Sequence, residues 1–115
     1  EVLDLLGKLG PELEHESRLL FVGGTVGGCS LAFVAMGIEA LADAAVKHGI
    51  PRADAYRIVS QMMLGTAKLQ LETGEHPAAM KDAVCSPGGA TIRGVAELEA
   101  SGLRAALIRA VDATL

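Results

Sequence analysis

The chain has 115 residues and a formal net charge of -4, with a pI near 5.3 and its Lys and Arg residues scattered, so it offers no basic footprint for nucleic acid. Half of it is apolar but only 3% is aromatic; Ala, Leu and Val must fill the core, which suits closely packed helices better than aromatic-rich strands. The length makes one domain, residues 1–115, and excludes a dinucleotide-binding half alongside a substrate domain.

Helices are the whole predicted inventory, about six to seven of them, because no stretch of four or more residues alternates as a half-buried strand does. A short first helix over residues 2–9 stops at Gly10-Pro11, and a second covers residues 12–22. Four glycines in six positions follow, Gly23, Gly24, Gly27 and Gly28, and are expected to break the helical run. The third helix runs from near Cys29 to His48, with Gly49 just past its end and Pro51 opening the next.

No charged residue occurs from Leu19 to Ile38, a run of about bilayer-spanning length with Gly23 and Gly27 at helix-pairing spacing. The clustered glycines, and the continuation into Glu39, Asp43 and Lys47 on one periodic face, favour a soluble helix over a membrane span. With no basic stretch before the run, a signal peptide is not expected either.

The third helix carries two apolar faces. Leu31, Val34, Ile38, Leu41 and Ala45 make one, and Phe33, Met36, Gly37, Ala40 and Ala44 the other. The fourth helix, residues 51–73 with Gly74 at its end, repeats this with Ile58, Met62, Gly65 and Leu69 beside Met63, Leu64, Ala67 and Leu71. A chain this small cannot cover both faces of both helices, so a partner chain is the natural cover, with an intrachain bundle core as the alternative. His76 is a cap or loop residue before a short helix over residues 77–84; a further helix runs to about Ala100, and Gly102 separates it from the last.

Cys85-Ser86-Pro87-Gly88-Gly89-Ala90-Thr91 is the most informative stretch. Ser86 suits an N-cap and Pro87 the first helical position, where a missing N–H costs nothing. The following glycines would present unpaired backbone N–H groups at the positive end of the helix dipole, with no Cβ to keep a small anion away. Thr91, about one turn on, would bring its hydroxyl to the same ligand. An ordinary capped helix is the competing reading. The remaining polar residues suggest no chemistry: His15, His48 and His76 are dispersed, and Cys29 and Cys85 have no metal-ligand spacing and read as reduced thiols, so no metal site is expected. Glu39 and Asp43 form a solvated or interface stripe. No Gly-x-Gly-x-x-Gly occurs, so no cofactor-binding residue is assigned.

Several segments, in order and spacing, resemble the C-terminal domain of the pyrroline-5-carboxylate reductases. They are the run from Ile38 to Lys47 followed by Gly49-Ile50-Pro51, then Leu64-Gly65-Thr66-Ala67-Lys68, Gly74-Glu75-His76-Pro77, the run from Lys81 to Thr91, and Leu98 to Arg104. One segment departs: where that family usually carries Ser-Gly-Ser-Gly-Pro-Ala-Tyr, this chain reads Gly27-Gly28-Cys29-Ser30-Leu31-Ala32-Phe33, so a proline and a glycine are replaced.

The resemblance implies an all-α bundle of the 6-phosphogluconate dehydrogenase C-terminal-like type, intertwined as a homodimer that can assemble further, in the cytoplasm, with neither nucleic acid nor membrane as partner. It implies reduction of 1-pyrroline-5-carboxylate to L-proline with NADP or NAD held by a preceding Rossmann domain. The chain's start at Glu1, without Met and in mid-pattern, leads to the same expectation of a piece of a longer protein, inactive alone. Carried over position by position, Ser86, Gly88, Gly89, Ala90 and Thr91 form the substrate loop. In it the N–H groups of Gly89 and Ala90 take the carboxylate, and the Thr91 hydroxyl, the catalytic candidate, bonds the ring nitrogen. Val84 and Cys85 are packing residues. The altered segment at residues 27–33 suggests one alternative, a reductase-like paralogue binding another small carboxylate; the other is a purely structural oligomerisation module in which the Ser86 loop binds nothing.

Overall fold

The computed structural model describes residues 11–115, with side chains from Glu14 onward; the helix predicted over residues 2–9 lies outside them. Five helices follow in order, α1 (Pro11–Lys47), α2 (Arg52–Thr73), α3 (Pro77–Ala83), α4 (Ala90–Ala100) and α5 (Leu103–Thr114), and there is no strand among the described residues.

The predicted second and third helices are one. α1 runs unbroken through Gly23, Gly24, Gly27 and Gly28 for 37 residues. The physical reason is that glycine only weakens a helix, by about 1 kcal/mol relative to alanine, whereas proline removes a hydrogen bond and clashes with the preceding turn. No proline occurs between Glu12 and Lys47, and Ser30-Leu31 stands where the resembling family has Gly-Pro, so every N–H of the run is available. Leu31→Pro is therefore expected to kink α1 by deleting the bond to the Gly27 carbonyl, at a cost of about 3 kcal/mol. Loss of far-UV helicity and a lower Tm would report it.

The helix ends follow the glycine punctuation. After α1 the N–H of Gly49 (φ +104°) donates to Val46 and that of Ile50 to Ala45, both at 3.0 Å, the paired bonds of a Schellman motif. Gly74 closes α2 in the left-handed region at φ 67°, its N–H donating to the Gln70 carbonyl at 2.8 Å. Gly102, at φ 78°, turns the chain from α4 into α5.

The core is small. Ala42 of α1 and Ala55 and Val59 of α2 are buried, with Ile38, Ala45, Val46, Ile50 and Met63 packed around them. Two fully covered alanines at one crossing let the helices approach closely. Arg52, paired with Asp43 across the turn and lying 5.6 Å from the Tyr56 ring centroid, clasps the same end from outside.

Most other large apolar side chains lie open. Leu31 is 72% exposed, Met36 65%, Leu64 62% and Leu71 81%. Of the predicted apolar faces, only Ile38, Ala45 and Met63 join the core rim. The accessible surface, 8825 Å², exceeds by about 2,900 Å² what a compact monomer of this mass exposes. Likewise the radius of gyration is 18.7 Å, against about 13 Å for a compact chain of this length. A single copy of this chain leaves its apolar faces unfinished.

Candidate functional site

The loop between α3 and α4 starts from a wound helix end. The N–H of Val84 donates to Lys81 at 3.2 Å and that of Cys85 to Asp82 at 3.1 Å. Residues 86–89 then make a tight turn: the Gly89 N–H donates to the Ser86 carbonyl at 3.0 Å, with Pro87 second and Gly88 third at φ +69°. Proline in second place and a positive-φ glycine in third are the requirements of a type II turn.

This corrects the predicted helix start. Ser86 is not the N-cap and Pro87 is not the first helical residue; Gly89 is the cap, in extended conformation (φ -76°, ψ 174°), and α4 begins at Ala90. Ser-Pro suits either a helix start or a type II turn, and Gly88 at the third position selects the turn.

Two consequences follow for the five predicted residues. The Gly89 N–H, expected to hold a carboxylate, is occupied by Ser86 and is withdrawn as a donor. Moreover, Gly89 is constrained for a different reason from Gly88: a Cβ there would lie 2.5 Å from Ser86 Oγ, which must then rotate away, and 3.2 Å from the Ser86 carbonyl oxygen, which must give by a few tenths of an ångström.

Ala90 and Thr91 remain as donors. They open α4, whose cap carries no side chain and whose first turn holds no acidic residue, so their N–H groups face outward at the positive helix end without a protein partner among the described residues. The Thr91 hydroxyl is equally unclaimed there, whereas those of Thr66, Thr73 and Thr114 bond back to the carbonyls of Met62, Leu69 and Val111. Ser86, Gly88, Ala90 and Thr91 are exposed and Gly89 is half-buried. The loop is thus an open notch whose donors include the Ala90 and Thr91 N–H groups and the Thr91 hydroxyl, a set suited to a small carboxylate bearing a second polar atom.

Other polar groups are accounted for locally. Asp43 pairs with Arg52, which leaves no Glu39–Asp43 carboxylate pair free for acid-base work. His76 Nδ1 accepts the Ala78 N–H at 3.0 Å, capping α3 as the sequence suggested. Cys29 is exposed and Cys85 half-buried, both free thiols. Val84, expected to be a packing residue, is 64% exposed. No group of three or more His, Cys, Asp or Glu residues capable of holding a metal occurs among the described residues.

The family model for pyrroline-5-carboxylate reductase dimerisation matches residues 18–115, which takes in the loop, α2 and most of α1. The chain belongs to that family. The pyrroline-5-carboxylate reductase of Treponema pallidum (strain Nichols) is 54% identical over 94 residues, covering 82% of this chain and 36% of the relative. That of Escherichia coli (strain K12) is 59% identical over 86 residues, or 75% of this chain and 32% of the relative. This chain therefore spans about a third of the length of these curated reductases.

Solved reductases share the fold. The 1-pyrroline-5-carboxylate reductase of Streptococcus pyogenes superposes with a TM-score of 0.78 at 44% identity, over 81% of this chain and 36% of that one. The Plasmodium falciparum pyrroline carboxylate reductase, solved with NADP bound, gives 0.80 at 30% identity, over 84% and 39%.

Proposed function

We propose that this chain is the dimerisation and substrate-binding domain of a cytoplasmic, NAD(P)H-dependent pyrroline-5-carboxylate reductase, which reduces the C=N bond of 1-pyrroline-5-carboxylate to give L-proline. The observation that carries the reading is the uncapped start of α4 in a chain of this family, with Ala90 N–H, Thr91 N–H and the Thr91 hydroxyl left for a ligand. The two N–H groups hold the substrate carboxylate at the positive helix end, and the hydroxyl, anchored one residue into the helix, bonds the ring nitrogen. Ser86, Gly88 and Gly89 shape the turn that aims these donors. Orientation is the domain's contribution to the reaction, since the hydride comes from the nicotinamide.

The sequence has no Gly-x-Gly-x-x-Gly, and no strand precedes a glycine-rich turn among the described residues. The domain alone is accordingly assigned no NADP or NAD and no turnover; cofactor binding belongs to a Rossmann domain elsewhere in the full-length protein. The open faces of α1 and α2 are assigned to a second copy, in a homodimer that can assemble further, rather than to lipid or nucleic acid. α1 is apolar and long enough to cross a bilayer, and its most apolar window is 0% buried in one chain. Family membership supports a protein partner for that window, and the excess surface exceeds the roughly 800 Å² per partner of a standard interface.

Titration of proline into the 15N-labelled chain tests the loop. Ala90 and Thr91 amides are expected to shift first, with millimolar affinity because about 4 kcal/mol is what an open, solvated notch supplies. Uncharged proline amide should leave them still. If proline does too, up to tens of millimolar, the chain is an oligomerisation module and its loop binds nothing alone.

A further inference from the structure

α1 carries a seven-residue repeat. Ser17, Leu20, Gly24, Gly27, Leu31 and Val34 follow one another at spacings of three and four in turn, and the same alternation continues through Ile38 to Ala45. Such spacing keeps one seam of a helix turned toward a neighbouring helix. At Ile38 and Ala45 that neighbour is α2 of the same chain, packed there around Ala42. Toward the N-terminus the seam is bare. Leu20, Leu31 and Val34 are all more than half exposed, and the last two border the open groove beside Gly27. Val22 and Thr25, which the chain half-covers, lie on the opposite side of the helix.

The glycines of this stretch serve nothing inside one chain. A Cβ added at Gly23, Gly24, Gly27 or Gly28 would meet no atom within 4 Å, and none of the four has a positive φ. Alanine would make a firmer helix. What the glycines offer is a helix surface without side chains, to which a second backbone can come close.

A second α1 running antiparallel fits that surface. With Gly24 set against Gly27 of a second copy, two-fold symmetry repeats the layer, and the layers outside it become Leu20 against Leu31 and Ser17 against Val34. The closest approach falls on glycine, and the leucines fill the space where the helices diverge. No residue from Leu19 to Ile38 is charged, so the contact desolvates no ion, whereas α2 would bring Lys68 and Glu72 with its open leucines. A parallel pair would crowd both α1–α2 crossings at one end and the Glu14 and Glu16 carboxylates of both copies at the other. Reversal separates them and opposes the helix dipoles. The chain's surplus surface of about 2,900 Å² leaves room for this contact, since a standard interface takes roughly 800 Å² from each partner.

We propose that α1 pairs with α1 of a second copy in a symmetric antiparallel crossing centred on Gly24 and Gly27. The inference rests on the assignment of the open faces to a second copy, and adds the element and the register.

Cysteine cross-linking of the full chain reads that register. In a background where both native thiols are removed, Cys29→Ser and Cys85→Ser, chains carrying Leu20→Cys and chains carrying Leu31→Cys are co-expressed and treated with a short bifunctional thiol reagent. Covalent dimers with one chain of each kind are expected. Neither variant alone should give them, because identical positions then stand about 16 Å apart along the helix. Gly27→Leu should weaken association at least about tenfold in sedimentation equilibrium while helicity holds or rises. Cys29→Leu, on the far side of α1, should change neither. Covalent dimers from either cysteine variant alone would overturn the antiparallel register. A chain that dimerises without these cross-links, or with Gly27→Leu at wild-type affinity, would overturn α1 as the contact and leave the second copy to other faces. A monomeric wild-type chain would remove the second copy itself.

Discussion

Val34→Glu is expected to convert a dimeric chain into a monomer. Val34 lies 51% exposed on α1, in an open groove of about 480 Å³ lined with Gly27, Ser30, Leu31, Ala35 and Ile38. Within one chain the change removes little, because the side chain already faces water, and surface substitutions of that kind cost about 0.5 kcal/mol or less. Against a second copy the same carboxylate loses its hydration without gaining a partner, a penalty of several kcal/mol, and each 1.4 kcal/mol is about tenfold in the dissociation constant. Sedimentation equilibrium should therefore show association weakened by at least about a hundredfold while far-UV helicity survives. Ala42→Glu makes the contrast: Ala42 is 0% exposed within the chain itself, so there the charge should unfold the α1–α2 pair. A wild-type chain that is monomeric and well folded at micromolar concentration would contradict the account of the open faces. One that stays in solution only with detergent would favour lipid as their cover.

What could be read from residue types was mostly the stopping points and the apolar faces. Gly49, Gly74 and Gly102 each sit at positive φ where a helix ends or the next begins, because glycine enters that region without a Cβ penalty. The doubled apolar faces of α1 and α2 were legible from the 3.6-residue period alone. How far one chain would cover them was not, since Ile38 and Leu41 share a predicted face yet Ile38 rims the core while Leu41 is 46% exposed. Which face meets α2 depends on how the Gly49–Pro51 turn directs the chain, a tertiary matter.

The merged helix and the later start of α4 have one physical cause: glycine and proline set local preferences that the neighbouring backbone can override. Four glycines in six positions looked like a break, but a helix that retains all its N–H groups can bear a few kcal/mol of poor propensity. Ser-Pro looked like a helix start, but the glycine at position 88 gave the chain a tight turn first. The candidate loop is legible all the same, because two glycines and a threonine at a helix entrance survive a shift of three residues in where the helix begins. What changed is which atoms are free: Ala90 and Thr91 rather than Gly89 and Ala90.

That change gives two substitutions in the loop different expected outcomes. Thr91→Val, measured in the full-length protein under the proposed reductase activity, is expected to lower kcat/KM by about 5- to 150-fold, equivalent to the 1–3 kcal/mol lost when a polar partner is left unpaired. Stability should barely move, since the Thr91 hydroxyl makes no hydrogen bond among the described residues. Gly89→Val should lower both activity and stability. Its Cβ would stand 2.5 Å from Ser86 Oγ and 3.2 Å from the Ser86 carbonyl, the oxygen that accepts the Gly89 N–H. Rotation of the Ser86 side chain relieves the first contact but not the second, so the branched side chain is expected to open the turn and shift the first turn of α4, with Ala90 and Thr91, along with it. The loss of kcat/KM should therefore exceed that of Thr91→Val. A double-mutant cycle with Gly89→Ala and Ser86→Ala isolates the contact: deleting Oγ removes the closest clash and leaves only the carbonyl, so Gly89→Ala should cost less stability in the Ser86→Ala background. Equal costs in both backgrounds would mean that the turn yields elsewhere, and that Gly89 serves the ligand's approach rather than the turn.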